Sequence, residues 1–153
     1  MRTVLIAVMM LMVCHISAAP IPKETDAAKA ELEKLNGTWE VTSIKIQGLE
    51  MVDKLGEKLF ITFKNGEFTW SNGEQPGKIV FIDPAKTPKQ IDYTYTEGRN
   101  KSKTQKAIYK LDGDTFTDCF GDADDDARPK DFTSTKDNEQ TVMVYKRVKK
   151  KID

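Results

Sequence analysis

The chain has 153 residues, with 24 Lys and Arg against 24 Asp and Glu, one His and two Cys. That length suits a single domain with its own core. The even charge balance argues against a nucleic-acid or membrane-surface partner, since both call for a basic excess.

The N-terminus sets the expected compartment. Arg2 supplies a positive start, Thr3 to Cys14 is apolar beyond its first residue, and Ser17, Ala18 and Ala19 are small. This is the layout of a secretory signal peptide over residues 1–19, cut after Ala18 or Ala19. The apolar run is shorter than the roughly 20 residues a membrane span takes, so no stable membrane insertion is expected after processing. Val13 is not the small residue that lipidation at Cys14 would need. Processing is expected to leave a secreted or periplasmic protein that has lost His15 and Cys14. Such a chain lacks imidazole, the usual general base near neutral pH and the usual transition-metal ligand. Cys119 is then the one remaining thiol, so no internal disulfide forms and packing must supply stability.

Pro20 to Lys23 reads as an extended linker and Thr25 to Leu35 as a short helix. Thr25 is placed to cap it, and Ala28, Leu32 and Leu35 share one face. The linker and helix occupy 20–34, ahead of a β domain over 35–148 and a basic tail at 149–153. Strands are expected near Thr38–Gln47, Lys58–Lys64, Glu67–Ser71, Lys78–Ile82, Gln90–Thr96, Lys106–Leu111, Thr115–Phe120 and Thr141–Val148. The strongest local signal is Asn65-Gly66, a two-residue hairpin turn. It pairs Lys64 with Glu67 and Phe63 with Phe68, and puts Leu59, Ile61, Phe63, Phe68 and Trp70 on one face. A second hairpin centres on Asp112-Gly113, and either a two- or a four-residue loop places Tyr109 and Phe116 on a common face.

Eight short hairpin-linked strands leave two sheet edges to protect. Closure into an up-and-down antiparallel barrel removes both, with a two-sheet sandwich as the alternative. The fold class is therefore all-β, an eight-stranded barrel preceded by a short helix.

Gly37-Thr38-Trp39 resembles the Gly-x-Trp opening of lipocalins and related calycins. The resemblance implies that Trp39 closes one barrel end under a basic side chain from the last strand, for which Arg147 is the candidate. The chain also resembles a family of small secreted proteins of planctomycete bacteria. The match runs through Leu35-Asn36-Gly37-Thr38-Trp39-Glu40-Val41, Phe81-Ile82-Asp83-Pro84, Pro88-Lys89-Gln90-Ile91-Asp92, Ala107-Ile108-Tyr109-Lys110-Leu111-Asp112-Gly113-Asp114 and Arg128-Pro129-Lys130-Asp131-Phe132. It implies a lipocalin-like barrel in a bacterial, extracytoplasmic setting and no particular activity. The acidic run Asp122–Asp126 departs from that pattern.

Several residues carry candidate chemistry. Phe63, Phe68, Trp70, Phe81, Tyr93 and Tyr109 either fill the core or line a pocket for a small apolar ligand. Arg128 either tethers the acidic loop through Asp124 or Asp126 or faces a ligand carboxylate. The acidic run has carboxylates at alternate positions but Ala127 and Thr133 where a calcium loop needs Gly and Glu, so a solvated loop is expected and no metal. Cys119 is expected to be buried and inert rather than reactive or bridged between chains. An enzyme would have to draw a carboxylate pair from Asp92, Asp118 and Glu97, and no nucleophile motif accompanies them, so none is expected. The expectation is an extracytoplasmic lipocalin-like protein without cofactor that binds a small apolar molecule. The alternative is a protein-interaction or structural module with a solid barrel.

Overall fold

In the computed structural model, residues 25–149 are described. The expected signal peptide, the Pro20–Lys23 linker and the last four residues of the basic tail lie outside them. Helix α1 (Asp26–Leu35) is followed by strands β1 (Gly37–Ile46), β2 (Leu49–Glu50), β3 (Phe60–Lys64), β4 (Glu67–Trp70), β5 (Gly77–Asp83), β6 (Lys89–Tyr95), β7 (Thr104–Asp112), β8 (Thr115–Phe120) and β9 (Thr141–Arg147). Among the described residues no helix is long and apolar enough to cross a membrane.

The strands pair antiparallel with their sequence neighbours, and β9 returns to β1, so β1 and β3–β9 close an eight-stranded up-and-down barrel. β2 is a two-residue hairpin partner of the far end of β1 and lies outside the closed circuit. Closure leaves no long edge to template aggregation.

Local sequence accounts for most of the register. Asn65 and Gly66 both take positive φ, at 53° and 82°, which a two-residue turn of this hand requires. Lys64 therefore faces Glu67 and Phe63 faces Phe68. The β7–β8 turn falls one residue later than Asp112-Gly113. Asp112 pairs with Thr115, leaving Gly113 and Asp114 as the two turn residues. Gly113 takes the positive φ, and Asp114 is left free to meet Arg147 and Lys149. The shift pairs Tyr109 with Asp118, but it moves the partner by two residues, so Tyr109 and Phe116 still point inward.

Alternation from every barrel strand converges on one core that includes Trp39, Val41, Ile61, Phe63, Phe68, Ile91, Tyr93, Tyr109, Phe116 and Tyr145. Phe116 is its hub, with ring centroids 6.0 Å from Trp39, 5.9 Å from Phe63 and 5.1 Å from Tyr145. Such ring pairs each add about 0.5–1.5 kcal/mol beyond their buried area. A smaller outer cluster of Ile108, Cys119 and Val142 is covered by Phe132 from the 121–140 connection.

The helix begins as expected, with Thr25 Oγ1 accepting from the Ala28 amide at 3.1 Å. Its innermost face is Ala28, Glu31 and Leu35, whereas Leu32 is only half-buried. A carboxylate therefore sits where an apolar side chain was expected, and two lysines explain why.

Candidate ligand site at the open end of the barrel

The two ends of the barrel are built differently. The turns 65–66, 84–88 and 113–114 are short and lie at the helix end, whereas the connections 47–59, 71–76, 96–103 and 121–140 lie at the other. At the helix end, Trp39 is fully buried and its indole N–H donates to the Leu35 carbonyl at 2.8 Å. The Arg147 guanidinium lies 4.0 Å from the Trp39 ring centroid. It donates from Nη1 to the Asn36 carbonyl at 2.7 Å and from Nη2 to the Lys34 carbonyl at 2.5 Å. A helix C-terminus leaves carbonyls without intrahelical partners and attracts a cation. Arg147 satisfies both demands while covering the tryptophan. Beside it, Glu31 is 3% exposed and pairs with Lys89 at 2.5 Å and Lys34 at 3.2 Å. Burial pushes its carboxyl up, but the bonds to Lys89 and Lys34 outweigh that and hold it below the usual range.

The opposite end opens into a recess of about 230 Å³. Its apolar wall is Leu59, Trp70, Tyr95, Phe120 and Met143, and its rim carries Glu74, Gln75 and Arg99. Below it lies a space of about 30 Å³, bounded by Phe68, Tyr93, Asp118 and Tyr145 and sharing Trp70, Tyr95, Gln105 and Phe120 with the recess. That is room for one or two water-sized groups.

Asp118 is the charged floor of this space. It comes from β8, where Phe116, Asp118 and Phe120 alternate inward, and it is 3% exposed. Tyr93 donates to its Oδ2 at 3.0 Å and Tyr145 to its Oδ1 at 3.3 Å. Burial raises the carboxyl from 3.8 to about 7, against the opposing pull of the two phenols. Burial, then the neighbouring Asp118 charge, pushes the Tyr93 and Tyr145 phenols well above their ordinary value. Tyr95 donates to Gln105 Oε1, and Gln105 Nε2 donates to the Gly121 carbonyl at 2.7 Å. The floor is therefore polar, bonded and fixed, and the wall above it is aromatic.

The six aromatic residues singled out in the sequence do not share one surface. Phe68 and Tyr93 wall the inner space, and Trp70 reaches both it and the recess. Phe63 and Tyr109 are buried in solid core, with Phe63 edge-on to Phe116 and Tyr109 under the charge of Glu31. Phe81 is not interior. A bulge between Ile79 and Phe81 resets β5, so Ile79 and Ile82 pack on the core while Phe81 faces out beside Asp92. Its ring there lies 5.8 Å from the Arg128 guanidinium. Plain alternation could not foresee that bulge. Gln105, Phe120 and Tyr145 join the site without having been singled out as site residues.

Arg128 binds neither Asp124 nor Asp126. Its Nη1 sits 2.6 Å from Asp92 Oδ1 and donates to the Ala107 carbonyl at 2.6 Å and the Ile91 carbonyl at 3.2 Å. It thus fastens the long connection to the outside of β6 and β7. The acidic run is occupied locally: Asp124 accepts from the Thr104 amide, Asp125 from the Ala127 amide, and Asp126 from Lys106. Cys119 is fully buried under that connection, and burial pushes its thiol up to about 12. The three carboxylates weighed for catalysis do not converge. Asp118 faces in, Asp92 faces out with Arg128, and Glu97 is exposed in the 96–103 connection.

Compared with protein-family models, with curated proteins and with solved structures, the chain matches none.

Proposed function

We propose that this chain is an extracytoplasmic, lipocalin-like binding protein that holds a small apolar molecule at the open end of its barrel. The observation that carries this reading is the asymmetry of the ends. One is shut by Leu35, Trp39 and Arg147, while the other leaves an aromatic-walled recess of about 230 Å³. Concave apolar surfaces with a few fixed polar groups are the usual form of small-molecule sites. The signal-peptide layout of residues 1–19 and the resemblance of residues 35–148 to secreted planctomycete proteins support the compartment.

The test is titration with Nile red, an uncharged apolar dye that brightens out of water. One saturable site is expected, with Kd rising about tenfold in Trp70→Ala, the effect of losing one central aromatic anchor. No enhancement with the wild-type protein overturns the proposal. A structural or interaction module is the second reading. It draws on the solid packing around Phe116 beneath the recess, and it gains if the dye stays dark.

A further inference from the structure

We propose that the inner space beneath the recess recognises a primary ammonium group carried on a small apolar body, with Asp118 as its counter-charge. This rests on the recess being the binding site.

Asp118 is an almost fully buried carboxylate that has no cationic partner among the described residues. Two phenol hydroxyls reach it, at 3.0 Å and 3.3 Å. An ionised carboxylate offers about four acceptor sites, so two hydroxyls leave it acceptor capacity. A buried charge without an opposite charge is costly, and a cation arriving beside it recovers much of that cost. The surrounding rings favour the same sign. Four aromatic rings, Trp70, Tyr93, Tyr95 and Tyr145, line the space, and the π face of such a ring attracts a cation.

Size narrows the choice. About 30 Å³ admits a group the size of water, which an ammonium is and a trimethylammonium is not. The larger recess above then takes the apolar body.

The groups that face Asp118 are Tyr93 and Tyr95 from β6, Gln105 from β7 and Tyr145 from β9. The inward residues of β3 and β4 are Ile61, Phe63, Phe68 and Trp70, none of which is charged. Glu74 and Arg99 stand farther out, at the rim. Asp118 is thus the only group at the floor that changes charge near neutral pH, through about 7.

The experiment is calorimetric titration with 2-phenylethylamine, 2-phenylethanol and trimethyl(2-phenylethyl)ammonium, which share one body and differ in the head. At pH 8 the amine is expected to bind at least tenfold tighter than either of the others. Asp118→Asn should bring the ratio of amine to alcohol affinity down to about one, with the native circular dichroism spectrum kept. In the wild type, amine affinity should fall about tenfold between pH 8 and pH 6, as the ionised fraction of Asp118 falls, while alcohol affinity holds. This arm decides if the variant does not fold. Equal affinity for amine and alcohol overturns the ammonium assignment and leaves the binding proposal standing. Equal affinity for the trimethylated head overturns it too. No binding by any of the three, with Nile red still bound, also overturns this inference alone. Loss of dye binding as well overturns both.

Discussion

Replacing Asp118 by Asn gives the sharpest test of the barrel floor, because its effect should depend on pH in one direction. Burial lifts the Asp118 carboxyl from 3.8 to about 7. A fold that holds a proton more tightly than the unfolded chain is stabilised at low pH and loses that help as pH rises. The loss therefore begins near 3.8 and is complete above about 7. At about 1.4 kcal/mol per pH unit, keeping Asp118 ionised costs the fold about 4 kcal/mol in all, of which about 2–3 kcal/mol falls between pH 5 and pH 8. Asparagine keeps the shape and cannot ionise. Urea unfolding of both proteins at the two pH values gives the stability difference at each. That difference should move by about 2–3 kcal/mol in favour of Asn between pH 5 and pH 8. Glu31 acts oppositely, since its lowered carboxyl stabilises above the unfolded value and is lost on acidification, but it is present in both proteins and cancels. A difference that stays constant across the window would show that Asp118 ionises as freely in the fold as in the unfolded chain. The floor would then not be dry or enclosed.

Four further outcomes follow from the rest of the barrel. Arg147→Ala removes the stacking on Trp39 and the two bonds to the helix-end carbonyls, and should lower unfolding free energy by about 3 kcal/mol; Lys at this position should restore only a small part, because it lacks the planar fork. Gly77→Ala places a Cβ 2.5 Å from the Thr94 carbonyl oxygen and 2.6 Å from the Phe68 ring, so it should cost about 2–3 kcal/mol by thermal or urea unfolding. Gly66→Ala meets nothing within 4 Å, so only its positive φ is penalised, by about 1 kcal/mol. Cys119, buried with its thiol raised to about 12, should resist a disulfide reagent at pH 8 and react stoichiometrically in denaturant.

The fold was legible where a residue's chemistry forces a local geometry. Asn65-Gly66 dictates a tight turn, the turn dictates register, and register dictates that Ile61, Phe63, Phe68 and Trp70 share a face. Barrel closure followed because eight hairpin-linked strands leave edges that only β1–β9 pairing removes. What alternation could not supply was its own interruption. The β5 bulge turns Phe81 outward and Ile82 inward, and nothing in Lys78–Ile82 announces an extra residue. The helix misled for a related reason. Periodicity favours Leu32 over Glu31, but Lys89, 58 residues away in sequence, makes the carboxylate the better buried partner.

The same distinction governs the site. Asp118 was visible only as one of three possible catalytic carboxylates, yet its strand carried a stronger sign. In Thr115–Phe120 the even positions are Phe116, Asp118 and Phe120, so an acid stands in the apolar row between two aromatic rings. An acid in that row must find donors inside the barrel, and Tyr93 and Tyr145 occupy inward positions on β6 and β9 from which to provide them. What one sequence could not give is the depth at which these three meet, because that depends on the stagger of strands around the closed circuit. The closure that hides Asp118 from water also sets it beneath the end opposite helix α1. A polar group retained at that position is poor material for stability, since an apolar side chain would serve packing better. Its position at the floor of the one open end is therefore the strongest reason to look for the molecule that meets it there.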